Sequence, residues 1–172
     1  AIAERLAIDV RDPDLCTGFG ARWVSGVTVG PSPDHVQMRL LAAGQRPISN
    51  VVDASNYVML ELGKPIHTYD GATIRPAADG RPTIIVRRAE PGERLETLDH
   101  VTRELAPDML VIADPGGAIG VAGVMGGATT EVGEGTTEVA IESAIFDPVS
   151  IRRTAQRLAL RSEASSRFEK GQ

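Results

Sequence analysis

The chain has 172 residues, of which 42% are hydrophobic and 24% charged, ordinary proportions for a globular unit with one buried core. Its formal charge of −5 and its 3% aromatic content argue against a domain that grips nucleic acid unaided through basic clusters and stacked bases. No apolar stretch is long enough to span a membrane, no leader pattern follows Ala1, and Cys16 has no second cysteine to pair with, so one compact unit in a reducing cytoplasm is expected.

Taken in chain order, "GARWVSGVTV" alternates apolar and polar residues and predicts a strand over 20–29. Pro31 and Pro33 break it. "PDHVQMRLLAAG" then predicts a short helix opened by Ser32 and closed by Gly44. In "ISNVVDASNYVMLELG" the positions Ile48, Val52, Ser55, Met59 and Leu62 recur at helical spacing, with Ser49 or Asn50 able to cap the start and Gly63 to end it. From about residue 82 the pattern changes. "TIIVRRA", "RLETLD", "MLVIAD" and "TEVAIESAIF" are β-branched or apolar runs separated by Gly, Pro and Asp, and they predict strands. Pro148 opens a third helix in "VSIRRTAQRLAL", and "SEASSRFEKG" predicts a fourth. Helices, then strands, then helices point to an α+β fold with a mixed or antiparallel sheet system flanked by helices.

Charge is uneven along the chain. Between Asp147 and Gln172 six basic residues face three acidic ones, leaving −8 on the remainder. Such a stretch is either a solvated helix face or a contact for RNA or another domain.

Four features carry candidate chemistry. "GVAGVMGG", residues 120–127, together with Gly116 and Gly117, fits neither common nucleotide-loop spacing and has no lysine nearby. Its glycines make either tight strand-to-strand turns or a pocket wall of bare main chain. Strand alternation in "EVAIESAIF" puts Glu142 on one face with Ala140, Ala144 and Phe146. A carboxylate there needs an arginine partner or a capped loop, or else it forms the floor of a cavity suited to a ligand hydroxyl or ammonium. Asn56 lies beside the buried helix stripe of Val52, Met59 and Leu60, where amides more often satisfy local backbone than bind ligands. His67, in the extended segment after Pro65, is either structural or exposed; with Asp70 it has too few companions for a zinc site. No conventional nucleophile set is present in the sequence.

The stretches "ISNVVDASNYVMLELGKPIHTYD", "ETLD", "GVAGVMGG" and "IESAIFDPVSIRRTAQRLALRSEASSRFEKG" together resemble the B3/B4 region of the bacterial phenylalanyl-tRNA synthetase β subunit, from about Val24 to Gly171. The resemblance implies residues 1–172 as a single B3/B4-type domain of a longer subunit, with the editing site that hydrolyses tyrosine wrongly attached to tRNA(Phe). It places the carboxylate that reads the tyrosine hydroxyl at Glu142, helped by main-chain N–H groups at Gly123. Asn56 and His67 fall where the amino acid's ester end is bound and where a water is positioned, and Gly126, Ser162 and Ala164 fall on the pocket lining. No residue is assigned as a nucleophile. The implied partners are the α subunit and the remaining β-subunit domains in an α2β2 heterotetramer, the 3′ end of tRNA(Phe), and tyrosine. No cofactor is implied for this domain; ATP and magnesium belong to the whole synthetase. The other function left open is a structural or tRNA-docking module without active editing.

Three departures stand out: "HTYD" where the family commonly has "HAFD", Ser162 where it has threonine, and "EASSRF" where it has "EASHRF". Thr68 and Tyr69 are expected to alter the pocket rim, with the site otherwise intact.

Overall fold

The longest β-branched runs fix the centre of the structure, a computed structural model that describes residues 2–171. In β4 (Thr83–Arg88) and β7 (Leu110–Asp114) consecutive residues are buried on both faces, as a strand covered on two sides requires. They form the middle of a five-stranded sheet with β1 (Ala7–Val10), β8 (Gly117–Val121) and β9 (Met125–Gly126), in the order β1-β4-β7-β8-β9. The β1–β4 pair is parallel and the others antiparallel, so the sheet is mixed.

A second sheet has β10 (Glu138–Phe146) at its centre, between β2 (Cys16–Ser25) and β3 (His67–Asp70), all antiparallel. The expected alternation holds in the second half of β10, where Glu142, Ala144 and Phe146 are buried and Ser143 and Ile145 exposed; before it Val139 is buried beside Ala140 and Ile141 half-buried. A two-stranded ribbon, β5 (Arg94–Glu96) and β6 (Thr102–Glu104), completes the strands. Residues of both sheets and of the C-terminal helices share one apolar cluster, including Tyr69, Val86, Val111, Ala140, Ile151 and Phe168.

Helix ends follow local chemistry. In α2 (Asn50–Leu62) the Ser49 side chain accepts from Val52 N–H, and Gly63 closes the helix in the left-handed conformation at φ 75°. Asp147 caps α3 (Pro148–Arg157) by accepting from Ser150 N–H at 2.7 Å. Ser162 and Ser165 form a reciprocal cap on α4 (Glu163–Phe168).

The structure moves several expected boundaries. The first long strand runs from Cys16 to Ser25 rather than over 20–29, because Gly26 at φ 73° turns the chain. Strands β1, β6, β8 and β9 were not predicted, and β3 only as an extended segment. The first helix, α1 (Asp34–Ala42), is not opened by Ser32; Pro33 stands at its start with no side-chain cap. Instead Ser32 Oγ donates to Asp53 Oδ2 at 2.6 Å, while Asp53 Oδ1 accepts from Ile48 N–H at 2.7 Å. Asp53, only 1% exposed, thus ties the segment before α1 to α2. Asp53→Ala strands both donors, and a loss of about 1–3 kcal/mol is expected, read as a lower urea midpoint with an unchanged slope.

Candidate functional site

Pairing register gathers the polar groups. Glu142 in β10 lies directly opposite His67 in β3, and Ala140 opposite Tyr69, so the four share one face of the sheet. On the other side of β10, Ala21 of β2 stands opposite Glu142. These small neighbours leave space around the carboxylate. The Tyr69 hydroxyl donates to Glu142 Oε2 in a short hydrogen bond, and the His67 and Tyr69 rings meet edge to face at 4.5 Å. Among the described residues no arginine pairs with Glu142; its partner is the phenol of Tyr69.

The glycine run faces this group. It descends β8, turns through residues 122–124 and returns as β9, with Val124 N–H donating to Val121 C=O at 3.0 Å. Gly123 needs its left-handed φ of 65°, and a Cβ there would lie 2.9 Å from Ile151 Cδ1. At Gly126 the reason is close approach: a Cβ would lie 2.5 Å from His67 Cε1 and 2.6 Å from Nε2. The imidazole therefore occupies the space a side chain at 126 would fill. No acceptor among the described residues takes the Gly123 N–H. Ser162 Oγ donates to Val124 C=O at 2.6 Å and so anchors α4 against the turn.

Between the wall and the sheet lies a cavity of about 450 Å³, counted out to its open mouth. Glu142, His67, Gly123, Gly126 and Ala164 line it with Tyr69, Ile112, Val121, Met125 and Phe168. Two sequence candidates do not: Asn56 is half-buried on α2, and Ser162 acts through Val124 as a cap of α4. Asp70 is also separate from His67, since its carboxylate accepts from Ala72 N–H at 3.0 Å and Thr136 Oγ1 at 2.7 Å. Tyr69, expected only at the rim, is 1% exposed and bonded to the central carboxylate. Strand spacing from His67 was the signal that could have placed it there. Other hollows are larger, such as the open groove of about 910 Å³ lined by Arg152, Arg161 and Lys170. Its basic side chains are exposed, whereas the smaller cavity combines buried polar groups with bare backbone, the combination that orients a ligand.

Burial sets the charge state. Glu142 is 6% exposed, and desolvation raises its carboxyl to about 7, partly opposed by the Tyr69 hydrogen bond. Desolvation lowers His67 to about 4, which leaves the imidazole neutral near pH 7. The Tyr69 hydroxyl is held protonated by burial and by the neighbouring Glu142 charge. Burial also pushes the Cys16 thiol up to about 11. Among the described residues no group of three or more His, Cys, Asp or Glu is placed to hold a metal ion.

Residues 15–172 of this two-sheet α+β fold match the family model of the B3/4 domain. The chain belongs to the B3/4 domain family. It is 56% identical over 164 residues to the phenylalanine-tRNA ligase beta subunit of Moorella thermoacetica, covering 95% of this chain and 20% of that relative. The corresponding subunit of Dehalococcoides mccartyi is 52% identical over 170 residues, covering 99% of this chain and again 20% of the relative. The chain thus spans about one fifth of the length of these relatives. Among solved structures it is similar in fold to an N-terminal fragment of the phenylalanyl-tRNA synthetase beta subunit from Pyrococcus horikoshii. The TM-score is 0.57 at 14% identity, covering 92% of this chain and 49% of that one.

The two shifted groups have opposite effects on stability. Glu142 contributes fully below its ordinary value of 4.5 and loses that contribution as pH rises to about 7. His67 contributes fully above 6.5 and loses its share as pH falls to about 4. In the shared window, Glu142→Gln should gain stability relative to the parent as pH rises, and His67→Gln should lose it. Each slope should reach up to about 1.4 kcal/mol per pH unit. Chemical unfolding at a series of pH values measures this, and parallel curves for parent and variants would contradict the assignment.

Proposed function

We propose that the chain is the editing module of a phenylalanine-tRNA ligase beta subunit, hydrolysing tyrosine mistakenly esterified to tRNA(Phe). The observation that carries this is the Glu142 carboxylate, buried on the cavity floor with no arginine partner among the described residues. An apolar synthetic pocket for phenylalanine rejects an analogue that merely adds a hydroxyl by roughly a hundredfold, too little for accurate translation. A second site that accepts a hydrogen bond from the hydroxyl reverses the preference, because phenylalanine would leave the buried acceptor unpaired.

In this reading Glu142 accepts the phenolic hydroxyl, and the unpaired Gly123 N–H offers a donor to the same oxygen. Ala164 keeps the cavity open for the ring, and Gly126 leaves room for the His67 imidazole at its wall. His67, neutral near pH 7, sits at the wall with a nitrogen able to hold a water near the ester. With no protein nucleophile invoked, rate acceleration comes from placing water and ester together and from fixed dipoles in a partly dry site. The tRNA terminal hydroxyl, the α subunit and the other β-subunit domains supply what one fifth of a subunit does not. ATP and magnesium serve the aminoacylation step elsewhere in the ligase.

A second reading, a docking module without editing, is favoured by one observation: Glu142 Oε2 is already taken by Tyr69. The basic side chains of Arg152, Arg161 and Lys170 along the C-terminal helices suit such a contact. Deacylation separates the two. In the assembled ligase Glu142→Ala should slow Tyr-tRNA(Phe) hydrolysis about 10- to 100-fold, the worth of a hydrogen bond to a charged group. Unchanged hydrolysis would favour docking alone. Ala164→Trp should fill the cavity and abolish hydrolysis while sparing phenylalanine activation, measured by pyrophosphate exchange; loss of activation instead would identify Ala164 as core.

A further inference from the structure

The two oxygens of Glu142 have different fates. Oε2 receives the Tyr69 hydroxyl, whereas Oε1 has no donor among the described residues and belongs to a side chain lining the cavity. A carboxylate offers about four lone-pair sites, so a hydrogen bond to one oxygen leaves the other competent. Tyr69 is only 1% exposed and its ring meets that of His67 at an interplanar angle of 82°, so its hydroxyl is a fixed donor. The reach is diagonal across the strand pair, over Ala140, whose methyl leaves room for it.

We propose that Tyr69 is a positioning residue that sets the specificity of this cavity: its hydroxyl holds one oxygen of Glu142 and presents the other as the acceptor for a ligand's phenolic hydroxyl. The proposal rests on the editing function above and adds to it the residue that keeps the reader oriented. A donor to the carboxylate favours its ionised form, and only that form is purely an acceptor; a protonated Glu142 adds a competing O–H donor. The neighbouring ionisable groups leave this task to Tyr69. On β3 it is accompanied by His67, which burial keeps neutral near pH 7, and β2 contributes the protonated Cys16 thiol. Ile112 on β7 and residues 120–126 of the wall carry no ionisable side chain. Next to α4, Lys64 lies over the Phe168 ring at 5.3 Å, and Arg167 of α4 is paired with Glu163.

The test is the pH dependence of Tyr-tRNA(Phe) and Phe-tRNA(Phe) hydrolysis by the assembled ligase, corrected for uncatalysed ester hydrolysis. Tyr69→Phe keeps the ring and removes only the hydroxyl. It should move the midpoint of the acid limb up by about one pH unit, lowering the tyrosine-to-phenylalanine ratio several-fold at pH 7 and restoring it by about pH 8.5. A purely packing role would change both esters alike and leave the midpoint in place, which overturns the proposal. A higher tyrosine-to-phenylalanine ratio would also overturn it, since Tyr69 would then be a plug that competes with the ligand. Glu142→Gln is the control: if it leaves tyrosine hydrolysis intact, the editing function fails and the role of Tyr69 fails with it. If Glu142→Gln removes discrimination but Tyr69→Phe leaves the midpoint unmoved, only the role of Tyr69 fails.

Discussion

The hydrogen bond between Tyr69 and Glu142 is the constraint from which the rest of the site follows. A carboxylate in the central strand of a sheet, 6% exposed, must find a donor or become neutral. The donor here comes from a phenol rather than a guanidinium. An arginine would have balanced the charge and closed the site as an inert ion pair. A phenol donates one hydrogen bond, brings no charge, and leaves the carboxylate with an unused oxygen and a carboxyl raised to about 7. The strand register places that oxygen against the cavity, because residues opposite and diagonal to Glu142 on β3 and β2 are either aromatic partners or alanine.

The glycine wall completes the enclosure by what it lacks. At Gly126 the missing side chain is replaced by the His67 ring, so wall and imidazole interlock; at Gly123 the turn takes a left-handed conformation under Ile151, Phe146 and Phe168. The same backbone that packs closely also remains polar, and the Gly123 N–H has no acceptor among the described residues. Close packing and an unspent donor coincide there, which answers whether the glycines are turns or a wall: they are both.

Local rules reached much of this. Period-two alternation placed Glu142 on the buried face of β10, and Pro148 marked the start of α3, because each signal lies within a few residues. Contacts between distant segments were not legible. The parallel pairing of β1 with β4 joins Ala7 to Thr83, and nothing in a four-residue strand announces its partner. Ser32 looked like a helix cap and instead donates to Asp53, since tertiary hydrogen bonding outweighed the local alternative. Tyr69, expected only at the rim, was the costliest misplacement. Its side chain shares a face with His67 by simple spacing, yet its acceptor is 73 residues away.

The charge states narrow what the cavity accepts. Near pH 7 His67 is neutral, Tyr69 is protonated, and Glu142 lies close to its own midpoint, so the enclosure carries at most one negative charge and no positive one. An ammonium group entering it would be desolvated against a carboxylate that is ionised only part of the time, a costly exchange. A neutral hydroxyl loses far less water and needs a single acceptor. A residue with its ammonium and ester ends toward the open mouth and its hydroxyl toward Glu142 meets both conditions. The depth at which the carboxylate is buried, more than its charge, therefore favours a neutral hydroxyl over an ammonium as the group it receives.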